Sequence, residues 1–140
     1  MIYCDTSLLV QALTWENATD LAQNWLRKQA DGSLCISGWV DTEFSSALAI
    51  KLRHGVVTLP ERAAVLTNWR SMIVQSLTVI DVAPGAFELA ARFIDRPDVN
   101  LRSGDALHLA IASLSGHTLA TLDRAMAEAA VQVGVEVEQI

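Results

Sequence analysis

A chain of 140 residues is long enough to bury a core of its own, and 51% hydrophobic content argues against a disordered segment. Aromatics make up only 6%, so Leu, Val, Ile and Ala must fill that core. A formal charge of −6 argues against a module that holds nucleic acid mainly through a basic face, although four acids singled out below carry most of that excess. The opening Met1-Ile2-Tyr3-Cys4-Asp5 has no basic start and meets an acid at once, so no secretory leader is expected. The expectation is one cytoplasmic domain over residues 1–140.

In chain order, residues 1–4 read as a short buried strand ended by Asp5. Residues 6–13 read as a helix and 18–30 as a second, with Leu21, Ala22, Trp25 and Leu26 at helical spacing. Asp31-Gly32 turns the chain into a strand at 34–36. A helix at 39–54 closes on Gly55, and Pro60 opens the next, which runs to about Gln75. A third strand covers 77–82, and a helix at 84–94 is broken by Arg96-Pro97-Asp98. Ser103 is placed to cap a helix to Leu114, followed by a strand at 118–122, a helix at 123–133 and a last strand at 135–137. The stretch 106–122 carries no Asp, Glu, Lys or Arg, yet it falls short of the ~20 apolar residues a bilayer requires. Ser113, Ser115, Gly116, His117 and Thr118 mark a turn within it, so no membrane span is expected. Short apolar strands alternating with helices predict an α/β protein whose parallel sheet is covered on both faces, with its crevice beyond the strands' carboxyl ends. Cys4 and Cys35 fall in strands and are expected as small buried thiols.

Four carboxylates stand out against this frame. Asp5 and Asp123 end strands, where each is either a helix cap or a ligand. Glu43 interrupts the inward stripe of Val40, Phe44, Ala47 and Leu48, whereas Asp41 lies about 200° around the axis at ~100° per residue and should face solvent. A glutamate on an inward face needs a partner, either an arginine or a shared cation. Asp105 sits in a first helical turn, where the helix dipole favours it by ~0.3–1 kcal/mol. Gly104 before it weakens a helix start unless the backbone has to come close to something. Asp81 also ends a strand, but Val82-Ala83-Pro84 gives it a plain turn-and-cap explanation. Each acid has a structural explanation alone; together they do not. Two carboxylates at ~4 Å repel by roughly 4 kcal/mol at an effective dielectric of 20, which points to a bound cation. Oxygen donors without a histidine set favour Mg²⁺ or Mn²⁺ over zinc. His54 and His117 lie near a helix end and in a turn, while His108 is expected to hydrogen-bond Asp105 one turn before it.

Tyr3-Cys4-Asp5-Thr6-Ser7, Asp41-Thr42-Glu43-Phe44, the run from Leu101 through Arg102-Ser103-Gly104-Asp105 to Ala110, and Thr121-Leu122-Asp123-Arg124 together resemble the PIN-domain family, and within it the VapC-type toxin ribonucleases. The resemblance implies a three-layer α/β/α sandwich with a short, mainly parallel sheet. It implies a Mg²⁺- or Mn²⁺-dependent endoribonuclease, the toxin of a toxin–antitoxin pair, with a cognate antitoxin and a homodimer as partners. It carries Asp5, Glu43, Asp105 and Asp123 over as catalytic residues and metal ligands. Thr121 matches a position whose hydroxyl supports the site, and it stands with Arg102 and Arg124 as a candidate substrate contact. Departures are mild: Tyr3 and Cys4 replace more usual aliphatics, and Trp39 is bulkier than the usual residue at the start of its helix. The implied chemistry is RNA phosphodiester hydrolysis, with one or two ions lowering the pKa of water and stabilising the leaving oxygen.

Three further expectations follow from the residues. Trp39 has either a core role or stacks on a base. Leu8, Leu9, Val10, Leu13 and Trp15 offer more apolar surface than one buried face requires, which suits a dimer mate or an antitoxin segment. The rival readings are a phosphoacceptor domain of the receiver or haloacid-dehalogenase-like type and a catalytically silent binding subunit. The first needs a late lysine, where this chain has only Lys28 and Lys51, and its dehalogenase-like form wants a second aspartate where Ser7 stands.

Overall fold

The apolar triplet Ile2–Cys4 forms β1, the central strand of a five-stranded sheet whose strands are all parallel. The chain continues through α1 (Thr6–Leu13), α2 (Thr19–Arg27), β2 (Leu34–Ser37), α3 (Gly38–Arg53), α4 (Leu59–Ser76) and β3 (Thr78–Ile80). It then runs through α5 (Gly85–Ile94), α6 (Ser103–Ser115), β4 (Thr118–Thr121), α7 (Arg124–Val133) and β5 (Val137–Gln139). This computed structural model describes all 140 residues. Strand order is β3-β2-β1-β4-β5, so the chain builds outward on one side of β1 and then crosses to the other. The architecture is the expected α/β/α sandwich.

That order creates one topological switch point, between β1 and β4, where successive crossovers leave in opposite directions and a crevice opens at the strands' carboxyl ends. Asp5 follows β1 there and Asp123 follows β4. Register is fixed by Ile2 opposite Thr118 and Cys4 opposite Ala120, so the two strands end nearly level. β2 is buried along its whole length, as an inner parallel strand must be. The uncharged run of 106–122 is explained by α6: seven successive residues, Ala106 through Ala112, are buried. No helix is long and apolar enough to cross a membrane.

α3 is fastened to α4 by Trp69, which stacks on Phe44 at 4.3 Å and donates its indole N–H to Asp41 at 2.6 Å. Asp41 does face outward, as the helical angle requires, but with this partner. Cys4 and Cys35 are free and buried, and burial pushes the Cys35 thiol up to about 11.

Several boundaries differ from expectation for local reasons. Gly134 closes α7 at φ 77, and the Val135 N–H bonds back to the Ala130 carbonyl, so residue 135 completes the helix exit and β5 begins only at Val137. Ser103 is not the cap of α6: Arg102 occupies that position and no side chain caps the helix. In α1, Leu8, Leu9 and Val10 are fully used by the core, and only Trp15, just beyond the helix, is left bare.

Far from the crevice, Thr58 and Glu61 form a reciprocal capping box at the start of α4. Thr58→Ala should therefore lower stability by about 1 kcal/mol, read as an earlier urea midpoint with unchanged slope, and leave the crevice untouched.

Candidate active site

Asp5 and Asp123 are both helix caps and both cavity residues, because in this fold a strand ends and the next helix starts at the crevice. Asp5 Oδ1 accepts the Leu8 N–H at 3.0 Å, and Asp123 Oδ1 accepts that of Met126 at 3.0 Å. Two hydroxyls lock them together. Thr121 donates to Asp5 Oδ2 at 2.7 Å and accepts the Asp123 N–H at 2.8 Å. Ser7 donates to the same Asp5 carboxylate at 2.7 Å and accepts the Leu122 N–H at 3.2 Å. Asp5 is only 1% exposed, and burial raises its pKa against the lowering effect of those hydrogen bonds.

Glu43 arrives from α3. Its Oε2 accepts a hydrogen bond from Thr6 at 2.6 Å and lies 2.6 Å from His108 Nε2. His108, 2% exposed, places its other ring nitrogen 3.1 Å from the Tyr3 hydroxyl, which is in turn 2.8 Å from Ser37. Burial would raise the Glu43 pKa, but the His108 hydrogen bond and charge, with the Thr6 hydroxyl, outweigh it and hold it low. The partner of Glu43 is thus a histidine rather than an arginine, and the expected pairing of His108 with Asp105 is replaced by one with Glu43. The reason is geometric: α3 and α6 face each other across the crevice, and with Oε2 doubly bonded only Oε1 of Glu43 is left.

Gly104 explains that position. A Cβ there would stand 2.8 Å from Glu43 Oε1 and 3.6 Å from the Trp39 ring, so the backbone approach hinted at by glycine in a helix start is made by Glu43 itself. The buried Trp39 indole N–H forms no well-aligned hydrogen bond, yet it lies close enough to the same carboxylate to help hold its pKa low. Asp105, on the first turn of α6, has its pKa raised by burial and then by the negative charge of Asp123.

All four acids, with Thr6, Ser7, Ser46 and His108, line one cavity of about 280 Å³. No Lys or Arg lines it, and none of the four acids has a lysine or arginine partner. Arg102 is exposed at the start of α6, and Arg124 points to solvent, 3.3 Å from Glu128. Thr121 is fully buried, so its hydroxyl serves Asp5 and Asp123 rather than reaching a substrate directly. Ser7, Thr6 and Tyr3 belong to the opening motif, but the sequence assigns them no role in the site. The first two stand directly after Asp5 at a helix start, where hydroxyls and a cap meet; Tyr3 gave no signal beyond being a polar tip in a buried strand.

As a cation site, the donor set fits by chemistry: hard oxygens, like-charged and without a lysine or arginine among them. No three acidic or histidine side chains close tightly enough to hold an ion among themselves. An ion in this cavity would keep much of its water and take one or two carboxylates directly, as Mg²⁺ does.

The sequence pattern described as PIN domain matches residues 2–132. No curated protein sequence matches. Solved structures of similar fold include FitAcB from Neisseria gonorrhoeae, at TM-score 0.72 and 16% identity over 98% of this chain and 96% of that one. VapC20 of Mycobacterium tuberculosis, a toxin that cleaves the sarcin–ricin loop, aligns at 0.71 and 17% identity over 92% and 95%. VapBC2 of Rickettsia felis, bound to a DNA fragment from its promoter, aligns at 0.71 and 16% over 100% and 99%.

Two predictions arise from this geometry. A carboxyl whose folded pKa is raised keeps its stabilising proton fully below the unfolded value and loses it as pH rises through the folded one, so ionised Asp5 is a cost at neutral pH. Asp5→Asn keeps the cap acceptor and removes the charge; in EDTA at pH 7 it should melt higher, by about 3 °C for each kcal/mol relieved. A lower melting point would count against the crowding of charge. Gly104→Ala should cost about 0.5–1.5 kcal/mol, the scale of one displaced side chain, and move the His108 ring resonances as Glu43 gives way. Unmoved resonances would contradict the close approach.

Proposed function

The chain belongs to the PIN-domain family, and we propose that it is a divalent-metal-dependent endoribonuclease, the toxin of a toxin–antitoxin pair. One observation carries the reading: four carboxylates from four separate segments line a single cavity without a lysine or arginine among them. A nucleic-acid enzyme with net charge −6 has to meet phosphate through something other than lysine and arginine.

Asp5, Glu43, Asp105 and Asp123 would hold the cation, which when bound supplies charge compensation for the phosphodiester and an acidified water. The chain's own part is positioning. Ser7 and Thr121 fix Asp5, and His108 and Thr6 fix Glu43 with one oxygen left over. The negative charge of Asp123 adds to burial in raising the Asp105 pKa, so a cation bound in the cavity would relieve this pair. Cleavage of the sarcin–ricin loop by the structurally similar VapC20 supports RNA as the substrate class.

A partner is proposed on a separate observation. Trp15 is 96% exposed beside a groove of about 380 Å³ that includes Leu13, Val56 and Val65. An indole left this bare suits contact with an antitoxin segment or a second copy of the chain. The phosphoacceptor reading lacks its lysine, since no Lys lines the acidic cavity.

Purified protein should cut single-stranded or looped RNA with Mg²⁺ or Mn²⁺ and stop with EDTA. Asp105→Asn should remain folded by circular dichroism and cleave about 10²–10³-fold more slowly, the scale on which one preorganised polar group acts. Undiminished cleavage by that variant, with contaminating nuclease excluded, would overturn the assignment. Trp15→Ala should weaken antitoxin binding or self-association while cleavage persists; both unaltered would remove the proposed surface.

A further inference from the structure

We propose that Tyr3 is a positioning residue for the cation site: its hydroxyl donates to His108 Nδ1, keeps the ring proton on Nε2, and so aims Glu43. The inference rests on the metal-dependent ribonuclease reading and adds to it a residue from outside the crevice. Tyr3 is fully buried in β1 and does not line the acidic cavity. Phenylalanine would fill the same space beside His108, so packing accounts for the ring of Tyr3 but not for its hydroxyl. A hydroxyl in a core is tolerated only with partners, and this one has two: Ser37 Oγ at 2.8 Å and His108 Nδ1 at 3.1 Å.

The donors of this buried chain can all be satisfied in one direction only. An ionised carboxylate accepts and never donates, so the 2.6 Å contact with Glu43 Oε2 requires a proton on His108 Nε2. The phenol, which burial keeps protonated, has a single proton to place. The Ser37 hydroxyl is fully buried, and Tyr3 is its only hydrogen-bond partner. If Tyr3 donated to Ser37, the Ser37 proton would have no acceptor, and a buried donor left unpaired is a loss on the scale of a whole hydrogen bond. With Ser37 donating to Tyr3 and Tyr3 to Nδ1, every proton in the chain finds an acceptor.

Which ring nitrogen of a histidine carries the proton is set by the hydrogen bond that the other makes. Here the phenol makes that bond, and the choice reaches the crevice. A proton on Nδ1 alone would turn the Nε2 lone pair toward the carboxylate, and Oε2 of Glu43 would be held by the Thr6 hydroxyl alone. The four groups belong to β2, β1, α6 and α3, so the order of donors runs one way, from the sheet outward to a candidate metal ligand.

The test reads the ring directly, on the full chain in EDTA at neutral pH. Long-range ¹H–¹⁵N correlation of ¹⁵N-labelled protein should show His108 protonated on Nε2 and bare at Nδ1. A proton on Nδ1, alone or together with one on Nε2, would overturn the proposal whether or not any variant folds. Tyr3→Phe removes only the hydroxyl and should spread the ring proton over both nitrogens. Ser37→Ala should keep the wild-type tautomer, because Tyr3 still donates forward; its loss there would overturn the order of donors. With EDTA removed, Tyr3→Phe should bind Mn²⁺ about tenfold more weakly in calorimetry, the lower end of what a partner behind a metal ligand is worth. In subsaturating Mn²⁺ its kcat should fall while KM for RNA holds, since Tyr3 touches no substrate. A wild-type tautomer or wild-type Mn²⁺ affinity in Tyr3→Phe would overturn the positioning role and leave the ribonuclease reading standing. The expected tautomer and weakened Mn²⁺ binding in a protein that cuts no RNA would support the role and remove the ribonuclease reading instead.

Discussion

Negative charge that the fold gathers and leaves without a lysine or arginine is the constraint on which the site depends. It originates in topology. With β1 at the centre and the chain crossing from β3 to β4, the ends of β1 and β4 open one crevice, and each must start a helix at that spot. An aspartate suits a helix start, so Asp5 and Asp123 satisfy local capping while standing at a shared edge. α3 and α6 then bring Glu43 and Asp105 to the same cavity. Local stability and global charge are at odds here, as is common where a protein keeps a site for something it must bind.

The buried polar chain from Ser37 through Tyr3 and His108 to Glu43 shows how accurately one carboxylate is held. Its members come from β2, β1, α6 and α3, so Glu43 is referenced to the sheet and to both helices at once. Such a network is tolerated in a core only when its members find partners, and these do. With Oε2 taken and Gly104 admitting Oε1, Glu43 is left with one oxygen in one place.

Much of this could be read from the chain. Asp5 and Asp123 were visible as acids at strand ends, Glu43 as a polar break in an apolar stripe, and Gly104 as a glycine where a helix start has no use for one. What the sequence could not convey were partners set by long-range packing. His108 lies three residues after Asp105, which suggested that pairing, while its actual partner is 65 positions away across the crevice. The Gln11, Glu16 and Lys51 cluster joins α1 to α3 in the same way. The exposure of Trp15, against the burial of Leu8, Leu9 and Val10, depends on where α1 ends relative to its neighbours, which periodicity does not encode.

The central claim is that this cavity is built for a divalent cation, and a Mn²⁺ titration of the metal-free protein followed by thermal unfolding tests it most directly. Binding to the folded chain alone should add about 2.7 kcal/mol of stability at a hundredfold excess over the dissociation constant, and Asp105→Asn should lose most of that gain. A wild-type melting point that does not move with Mn²⁺ or Mg²⁺ would contradict the account.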